Sequence, residues 1–181
     1  GLHRRRPGRN TSPMIISKKM NAALNEQVGN EFGASLQYVA IAAYFFCEGL
    51  TELANHFYRQ SSEERDHAMR IVKYIVDAGG HLKIAAIAAP KDAFKSVADA
   101  VKLSLNWEQT VTKQINELVN LATGENDHIS ADFLDWFVNE QLEELTTMDN
   151  LLKVVKLAGD NLLYIEEYVA RDGYAALGKV L

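Results

Sequence analysis

The chain has 181 residues, of which 48% are apolar and 24% charged, and its formal net charge is -5. This length suits one domain with a substantial core, and the negative charge argues against nucleic acid or an anionic membrane as a partner. Cys47 is the only cysteine, which excludes an internal disulfide and a cysteine zinc cluster and favours a reducing, cytoplasmic location. No apolar run reaches the length that a bilayer requires.

The first thirteen residues differ in character from the rest of the chain. They read GLHRRRPGRNTSP, are basic and poor in apolar residues, and end just before Met14, where patterned sequence begins. A secretory signal needs an apolar stretch that is missing here. We therefore expect residues 1–13 to be an expression-vector remnant or a natural basic tail, and residues 14–181 to form the domain.

Prolines and glycines divide the rest of the chain into helical segments. Residues 14–89 and 91–181 contain no proline, which leaves both stretches free to be helical. Within them, apolar residues recur at a spacing of three and four, which is typical of bundle helices. Glycines mark the expected breaks: Gly49, Gly79, Gly80, Gly124, Gly159 and Gly173. These breaks predict four long helices and a short fifth one at about 161–171.

The helix ends and the connections define the topology. Ser96 with Asp99 three residues on is a capping-box pattern, and Asp160 can cap the fifth helix. The first two helices are joined by a short connection, as are the third and fourth, so each pair forms an antiparallel hairpin. The stretch 79–95 is long enough to run the length of a bundle. The sequence therefore predicts an all-α, up-down-down-up four-helix bundle with one long crossover.

Each apolar stripe is interrupted near its middle by acidic or amide side chains. A charged side chain in a core costs several kcal/mol unless it is paired or bound to metal. Glu31 and Glu64 are 33 residues apart, as are Glu108 and Gln141, and the midpoint of each pair falls beside a hairpin turn. At about 1.5 Å rise per residue, the two members of a pair lie level across their hairpin. An ion pair could explain one such residue, but four in register indicate a metal centre.

The spacing on the second helix indicates which ion. Glu64 and His67 are three residues apart, so they share a helix face and can bind one ion. Carboxylate oxygens with one imidazole suit iron or manganese better than copper or structural zinc. A lone Glu-x-x-His is more often a solvated pair, and only its coincidence with the other stripes favours a metal. Two divalent ions would neutralise the four buried carboxylates, which belong to Glu31, Glu64, Glu108 and Glu144.

Four motifs in order resemble the prokaryotic non-haem ferritins, with similarity from about residue 17 to 171. They are NEFGASLQY (30–38), EERDHAM (63–69), WEQTVTKQI (107–115) and LDWFVNEQLEE (134–144). The resemblance implies a ferritin-like bundle with a short fifth C-terminal helix. It also implies an iron-storage protein with ferroxidase activity, which oxidises Fe(II) with dioxygen and contains no haem.

The resemblance assigns a role to each motif residue. Glu31, Glu64 and His67 would hold the first iron, and Glu64 would bridge to a second iron held by Glu108 and Glu144, with Gln141 alongside. A third iron site would be formed by Glu63, Glu140 and Glu143, with Glu144 contributing. Tyr38 matches a tyrosine beside the centre that can donate an electron, and Trp136 a neighbouring tryptophan. A buried tyrosine whose hydroxyl bonds a ligand carboxylate is the structural alternative for Tyr38.

Family members assemble into hollow shells of twenty-four subunits, with the fifth helix near the four-fold axes. A cluster of three acids and one histidine near the start of the fourth helix is a candidate for iron entry, although a solvated helix N-terminus also favours acids: Asp127, His128, Asp132 and Asp135. Glu63 and Asp66 are candidates for mineral nucleation on the inner surface.

The nearest alternative is a bacterioferritin, or another di-iron oxidase without mineral storage. A bacterioferritin would have its haem-binding methionine directly after the Glu ligand of helix two, where Arg65 stands, and a second Glu-x-x-His in place of Gln141 and Glu144. A metal-free helical interaction protein would need apolar residues at the four stripe positions, so it fits least.

Overall fold

A computed structural model describes residues 13–171. Apart from Pro13, the predicted N-terminal segment 1–13 lies outside the described residues, as does the predicted break at Gly173. Within the described range the secondary structure consists of five helices: α1 (Lys18–Cys47), α2 (Thr51–Asp77), α3 (Val97–Gly124), α4 (His128–Ala158) and α5 (Leu162–Arg171). None of the helices in this range has the length and apolarity needed to cross a membrane.

The long helices pack as two hairpins, α1 with α2 and α3 with α4. At one end of the bundle, the Ser17 hydroxyl before α1 donates a hydrogen bond to Glu125 after α3, at 2.8 Å. Late in α1, Tyr38 reaches Glu108 in the first half of α3. Helices α1 and α3 therefore run antiparallel, and α2 and α3 run in the same direction. The predicted up-down-down-up bundle is confirmed.

The crossover between α2 and α3 is anchored along α1 by amide side chains. Asn25 donates to the His81 carbonyl at 2.8 Å and accepts from the Lys83 N–H at 2.6 Å. Gln37, further along α1, donates to the Lys91 carbonyl at 2.8 Å and accepts from its N–H at 2.9 Å. Each amide side chain bonds both a backbone N–H and a backbone carbonyl of the crossover, which lies outside any helix and lacks regular backbone hydrogen bonds. The predicted crossover is confirmed, although the sequence pattern did not reveal these anchors.

The turn between α3 and α4 differs slightly from the prediction. Gly124 is the last residue of α3 instead of a break, and the left-handed conformation falls on Asn126, with φ 54°. Asparagine tolerates this conformation because its short side chain can hydrogen-bond locally. By contrast, Gly49 and Gly79 take positive φ values of 79° and 73° at the predicted breaks.

The helix caps confirm one sequence prediction and correct another. The Asp99 N–H donates to the Ser96 hydroxyl at 3.1 Å, so Ser96 caps α3 as predicted. Asp160, the predicted cap of α5, does not have this role, because α5 begins at Leu162 and the residue before it is Asn161. The Asn161 side chain accepts from the Tyr164 N–H at 3.3 Å.

Helix α5 docks on the bundle by capping another helix. Helix α2 follows Leu50, which offers no capping side chain. The carboxylate of Glu166 in α5 accepts from the N–H groups of Glu52 at 3.0 Å and Leu53 at 2.9 Å. A carboxylate at a helix N-terminus accepts from N–H groups that have no partner within the helix, and its negative charge interacts favourably with the helix dipole. Ile165 and Val169 of α5 are buried against the bundle.

Two apolar clusters fill the ends of the bundle, and a polar layer separates them. The cluster near α5 includes Phe45, Phe57 and Met148, and the other includes Met20 and Ile75. The layer between them contains the acidic and amide residues that interrupt the stripes, so the fold positions these side chains away from solvent on every side.

Candidate metal centre

The polar layer brings together six residues from all four long helices. None of them is more than 3% exposed: Glu31, Glu64, His67, Glu108, Gln141 and Glu144. The first three come from α1 and α2, and the last three from α3 and α4. Equal spacing from the two hairpin turns places both sets at the same height.

Ligand atoms in this layer form two groups that share one residue. Glu31, Glu64 and His67 form the first group, and Glu64, Glu108 and Glu144 form the second, with the ligand atoms of each group within 4.8 Å of one another. The shared residue is Glu64, at the position where the resemblance implies a bridging carboxylate. A pair of metal ions with one common ligand fits this arrangement.

Several carboxylate oxygens in the layer have no hydrogen-bond partner among the described residues. They are Glu31 Oε2, Glu64 Oε1 and Glu144 Oε2. Burial, reinforced by the charge of Glu108, raises the pKa of Glu64 and of Glu144 well above the usual range. Buried carboxylate oxygens without donors are stabilised by a proton or by a cation. Hard oxygen donors with one imidazole fit iron or manganese.

His67 lies at the centre of three carboxylates. Its Nδ1 is 3.2 Å from Glu64 Oε2 and 3.9 Å from Glu31 Oε2, and its Nε2 is 3.7 Å from Glu140 Oε1. Burial alone lowers the pKa of His67, but contacts with Glu140, Glu31 and Glu64 outweigh it and raise the pKa above its ordinary value. Without metal the imidazole is therefore protonated, and a metal that binds it must displace that proton.

Neutral donors hold the carboxylate of Glu108. The Tyr38 hydroxyl donates to Glu108 Oε1 at 2.5 Å, and Gln141 Nε2 donates to Glu108 Oε2 at 3.2 Å. The Gln141 amide nitrogen also lies 3.1 Å from Thr112 Oγ1. Burial, followed by the charge of Glu108, raises the pKa of Tyr38 well above 10.0, so its proton stays in place. Tyr38 thus has the contact expected of the structural alternative, and this contact does not exclude electron donation.

Sequence reasoning missed one residue of the layer. Gln27 is 2% exposed, and its amide nitrogen donates to Glu31 Oε1 at 3.1 Å. Its position four residues before Glu31 places both on one face of α1. The signal available in the sequence was the amide of Gln27, which lies on the same face of α1 as Glu31.

The predicted third-site residues are not gathered as a trio. Glu140 joins His67 and Glu144 in a group with ligand atoms within 4.8 Å. Glu143 is exposed, and neither it nor Glu63 belongs to such a group in the described part of the chain. Glu140 and Glu144 are four residues apart and share a face, whereas Glu143 is turned by about 100° from Glu144. The charge of Glu63 is still close enough to raise the pKa of Glu144.

Four of the six predicted entry and nucleation residues are exposed on the surface, and Asp127 and Glu63 are half-buried. His128, Asp132 and Asp135 are exposed near the start of α4, and Asp66 is exposed beside Arg65. Asp127 has a structural role, because its carboxylate caps α4 by accepting from the Ser130 N–H at 3.0 Å.

Comparisons with known proteins show the family of the chain. The family model of the ferritin-like domain matches residues 21–158. Ferritin BfrB of Mycolicibacterium smegmatis is 41% identical over 166 residues, which cover 92% of this chain and 92% of that protein. The bacterial non-heme ferritin of Staphylococcus aureus is 37% identical over 155 residues, covering 84% of this chain and 93% of that one.

A solved structure and a further relative extend the comparison. The open pore ferritin of the archaeon Archaeoglobus fulgidus superposes with a TM-score of 0.84 at 32% identity, covering 88% of this chain and 99% of that chain. A relative from Mycobacterium tuberculosis is 42% identical over 154 residues, covering 85% of each chain, and bears the name bacterioferritin BfrB.

Proposed function

The chain belongs to the ferritin family, and on that premise we propose that it stores iron. Two Fe(II) ions bind inside each four-helix bundle and are oxidised with dioxygen. The Fe(III) product is deposited as mineral in the cavity of a shell of 24 subunits. The protein is thus a ferroxidase as well as a store.

The observation that carries this proposal is the pair of ligand groups that share Glu64. The first ion is held by Glu31, Glu64 and His67, and the second by Glu64 together with the two acids of the second hairpin, Glu108 and Glu144. When both ions are bound, they supply the electrons that reduce dioxygen. Because the layer lies between two apolar clusters, water has little access to the reacting ions.

The remaining residues of the layer position these ligands. Gln141 and Tyr38 hold both oxygens of Glu108 by hydrogen bonds. Groups that orient a metal ligand in this way set its geometry and raise metal affinity. Glu140 extends the layer beyond His67, and we propose that it gives oxidised iron a first step out of the bundle, towards the outer acids Glu63 and Glu143.

Removal of either of two proposed iron ligands tests the ferroxidase directly. Glu64→Ala or His67→Ala should abolish fast Fe(II) oxidation in stopped-flow absorbance, with a loss of about 100-fold or more, while circular dichroism shows the same helical content. Asp77→Asn, which alters an exposed acid on the same helix, serves as the control and should oxidise iron normally. Oxidation at the wild-type rate in either ligand variant would contradict the assignment.

The shell and the haem content need separate measurements. The protein should elute as a large particle in size-exclusion chromatography, and a stable monomer would contradict the shell. A bacterioferritin is the second candidate, because one relative has that name. Arg65 occupies the position where a bacterioferritin would have its haem-binding methionine. Protein expressed with ample haem should therefore lack a stoichiometric Soret band.

A further inference from the structure

A continuous row of aromatic rings leads away from the proposed iron site. The ring of His67 lies edge-on to Trp136, with centroids 5.3 Å apart, and Trp136 contacts Phe137 at 4.9 Å. Phe137 contacts Phe133 at 5.5 Å, and Phe133 stacks on Tyr74 at 4.0 Å with ring planes 6° apart. We call Trp136, Phe137, Phe133 and Tyr74 the aromatic row. It begins at a ligand of the first ion and ends at a tyrosine about two turns further along α2.

The hydroxyl of Tyr74 is connected to a carboxylate. Its oxygen is 2.6 Å from Ser130 Oγ, and Ser130 Oγ is 2.6 Å from Asp127 Oδ2. A serine hydroxyl has one proton, and an ionised carboxylate can only accept. Ser130 therefore donates to Asp127, which leaves its oxygen free to accept from Tyr74. The direction of both bonds is fixed: the phenol proton of Tyr74 points through Ser130 to Asp127.

This arrangement suits the oxidation chemistry of a phenol. Burial raises the pKa of Tyr74, so the ring is neutral at physiological pH. A neutral phenol that loses an electron becomes a much stronger acid, and its oxidation is therefore easy only where a base can take the proton at once. Asp127 is that base. The other carboxylate oxygen of Asp127 is already held by the Ser130 N–H at 3.0 Å, so the acceptor is fixed in place.

We propose that Tyr74 is a redox-active residue that supplies one electron, through the aromatic row, to dioxygen that has been partly reduced at the iron site. The proposal rests on the ferroxidase function proposed above. Two Fe(II) ions supply two electrons, whereas the reduction of dioxygen to water takes four; Tyr74 supplies one of the two that remain, and a further Fe(II) ion supplies the other.

The step balances as follows for one electron. Trp136 gives an electron to the partly reduced dioxygen, and Tyr74 returns an electron to Trp136 across the two phenylalanine rings. As it does so, the Tyr74 proton moves to Ser130 Oγ and the Ser130 proton moves to Asp127 Oδ2. The products are a neutral tyrosyl radical and a protonated Asp127. A further Fe(II) from solution reduces the radical, and the proton returns by the same route.

Transfer along the row can be measured without iron. In iron-free protein carrying Trp107→Phe, so that Trp136 is the remaining tryptophan, azide radicals generated by pulse radiolysis oxidise that tryptophan. Decay of the tryptophanyl absorbance should be matched by growth of a tyrosyl absorbance. Tyr74→Phe, which keeps the stacked ring, should slow the decay at least several-fold. Ser130→Ala should slow it too, because it breaks the path of the proton from Tyr74 to Asp127. Tyr58→Phe, at an exposed tyrosine on α2, should change nothing. Equal decay in the Tyr74→Phe and Tyr58→Phe proteins overturns the proposal, whatever the fate of the ferroxidase assignment.

The second test uses the assembled protein during iron oxidation. Tyr38→Phe protein, which removes the tyrosine at Glu108, is mixed with Fe(II) and dioxygen and freeze-quenched for electron paramagnetic resonance. A tyrosyl signal should remain, should vanish when Tyr74→Phe is added, and should persist when Tyr58→Phe is added instead. A signal that is absent from the Tyr38→Phe protein, or that survives the loss of Tyr74, overturns the role of Tyr74 while leaving iron oxidation itself unaffected. Failure of wild-type protein to oxidise Fe(II) would instead overturn the proposed function.

Discussion

In the half of the site built by α1 and α2, carboxylates surround a histidine; in the half built by α3 and α4, neutral donors hold Glu108, whereas Glu144 keeps one oxygen unpartnered within the described part of the chain. Glu31 and Glu64 each keep a buried oxygen without a hydrogen-bond partner among the described residues, and both lie beside His67. Glu108 has both oxygens bonded, by Tyr38 and Gln141. The two halves repeat one plan in sequence, yet differ in what holds the ligands before metal arrives.

The difference concerns charge as much as geometry. In the first half, a metal must displace the proton of His67, and the unpartnered oxygens of Glu31 and Glu64 are available to it. In the second half, a bound ion must share Glu108 with two donors that already use its oxygens. We therefore expect the first half to bind iron first and more tightly, and the second half to release it.

Removing a ligand from each half in turn tests this order. Glu31→Ala should leave one iron per subunit in an anaerobic Fe(II) titration and should slow oxidation by about 100-fold, because the tighter site is lost. Glu144→Ala should also leave one iron per subunit, but with the affinity of the first wild-type binding step unchanged. Two equal losses of affinity would show that the halves are equivalent.

If the second half is given ligands like those of the first, iron should stay bound in the bundle after oxidation instead of leaving as a product. The double change Gln141→Glu with Glu144→His adds a nitrogen donor to the second half and leaves its number of carboxylates unchanged. We expect iron to remain in the bundle after oxidation, measurable as retained iron per subunit after gel filtration. If this variant mineralises iron as the wild type does, the asymmetry of α4 does not control iron transit.

The neutral donors of Glu108 should have a smaller effect. Tyr38→Phe and Gln141→Leu each remove one hydrogen bond to that carboxylate, and the affinity of the second binding step should fall about 10-fold. The first binding step should be unchanged in both variants, since neither residue contacts Glu31 or His67 in the structure. Phe57→Leu, in the apolar cluster near Tyr38, controls for altered packing alone. If the affinity of the first binding step fell and that of the second did not, Tyr38 and Gln141 would support the first half of the site, and the comparison would be wrong.

The smallest effect concerns the stability of iron-free protein. Burial raises the pKa of Glu64 and Glu144 above the ordinary value of 4.5, so the folded state holds their protons more tightly than the unfolded chain. That stabilisation is complete below about pH 4.5 and is lost as the pH rises through the raised pKa values. The free energy of unfolding should therefore decline with rising pH.

The free energy of unfolding is measured above pH 6.5, because below this pH the contribution of His56 changes with pH in the opposite direction. Burial and then the charge of Arg59 lower the pKa of His56 from 6.5 to about 4, so its contribution is lost as the pH falls through that range. In urea titrations at pH 7, Glu64→Gln should stabilise iron-free protein by about 1 kcal/mol and flatten the decline. Glu26→Gln, at an exposed position on α1, should do neither.

The sequence allowed the helices and the six residues of the polar layer to be predicted, because both depend on periodic spacing along one chain. Equal distances from the hairpin turns placed Glu31 opposite Glu64, and Glu108 opposite Gln141. What escaped prediction depends on contacts between residues far apart in sequence. The Glu166 carboxylate caps α2 across 114 residues, and Asn25 binds the crossover across 56 residues. Neither Glu166 nor Asn25 belongs to a local sequence pattern that predicts such a distant partner.

The division of the ligands between two hairpins also bears on how the chain folds. Contacts within each hairpin are local in sequence, so α1 with α2 and α3 with α4 can form early, whereas their docking must close the crossover loop. Docking brings the acids of α1 and α2 against those of α3 and α4, where their charges oppose it. A divalent ion removes this opposition only in the docked state, so it should slow unfolding more than it speeds folding. Iron-loaded subunits should then persist because they unfold slowly, with the bound iron completing the packing between the two hairpins.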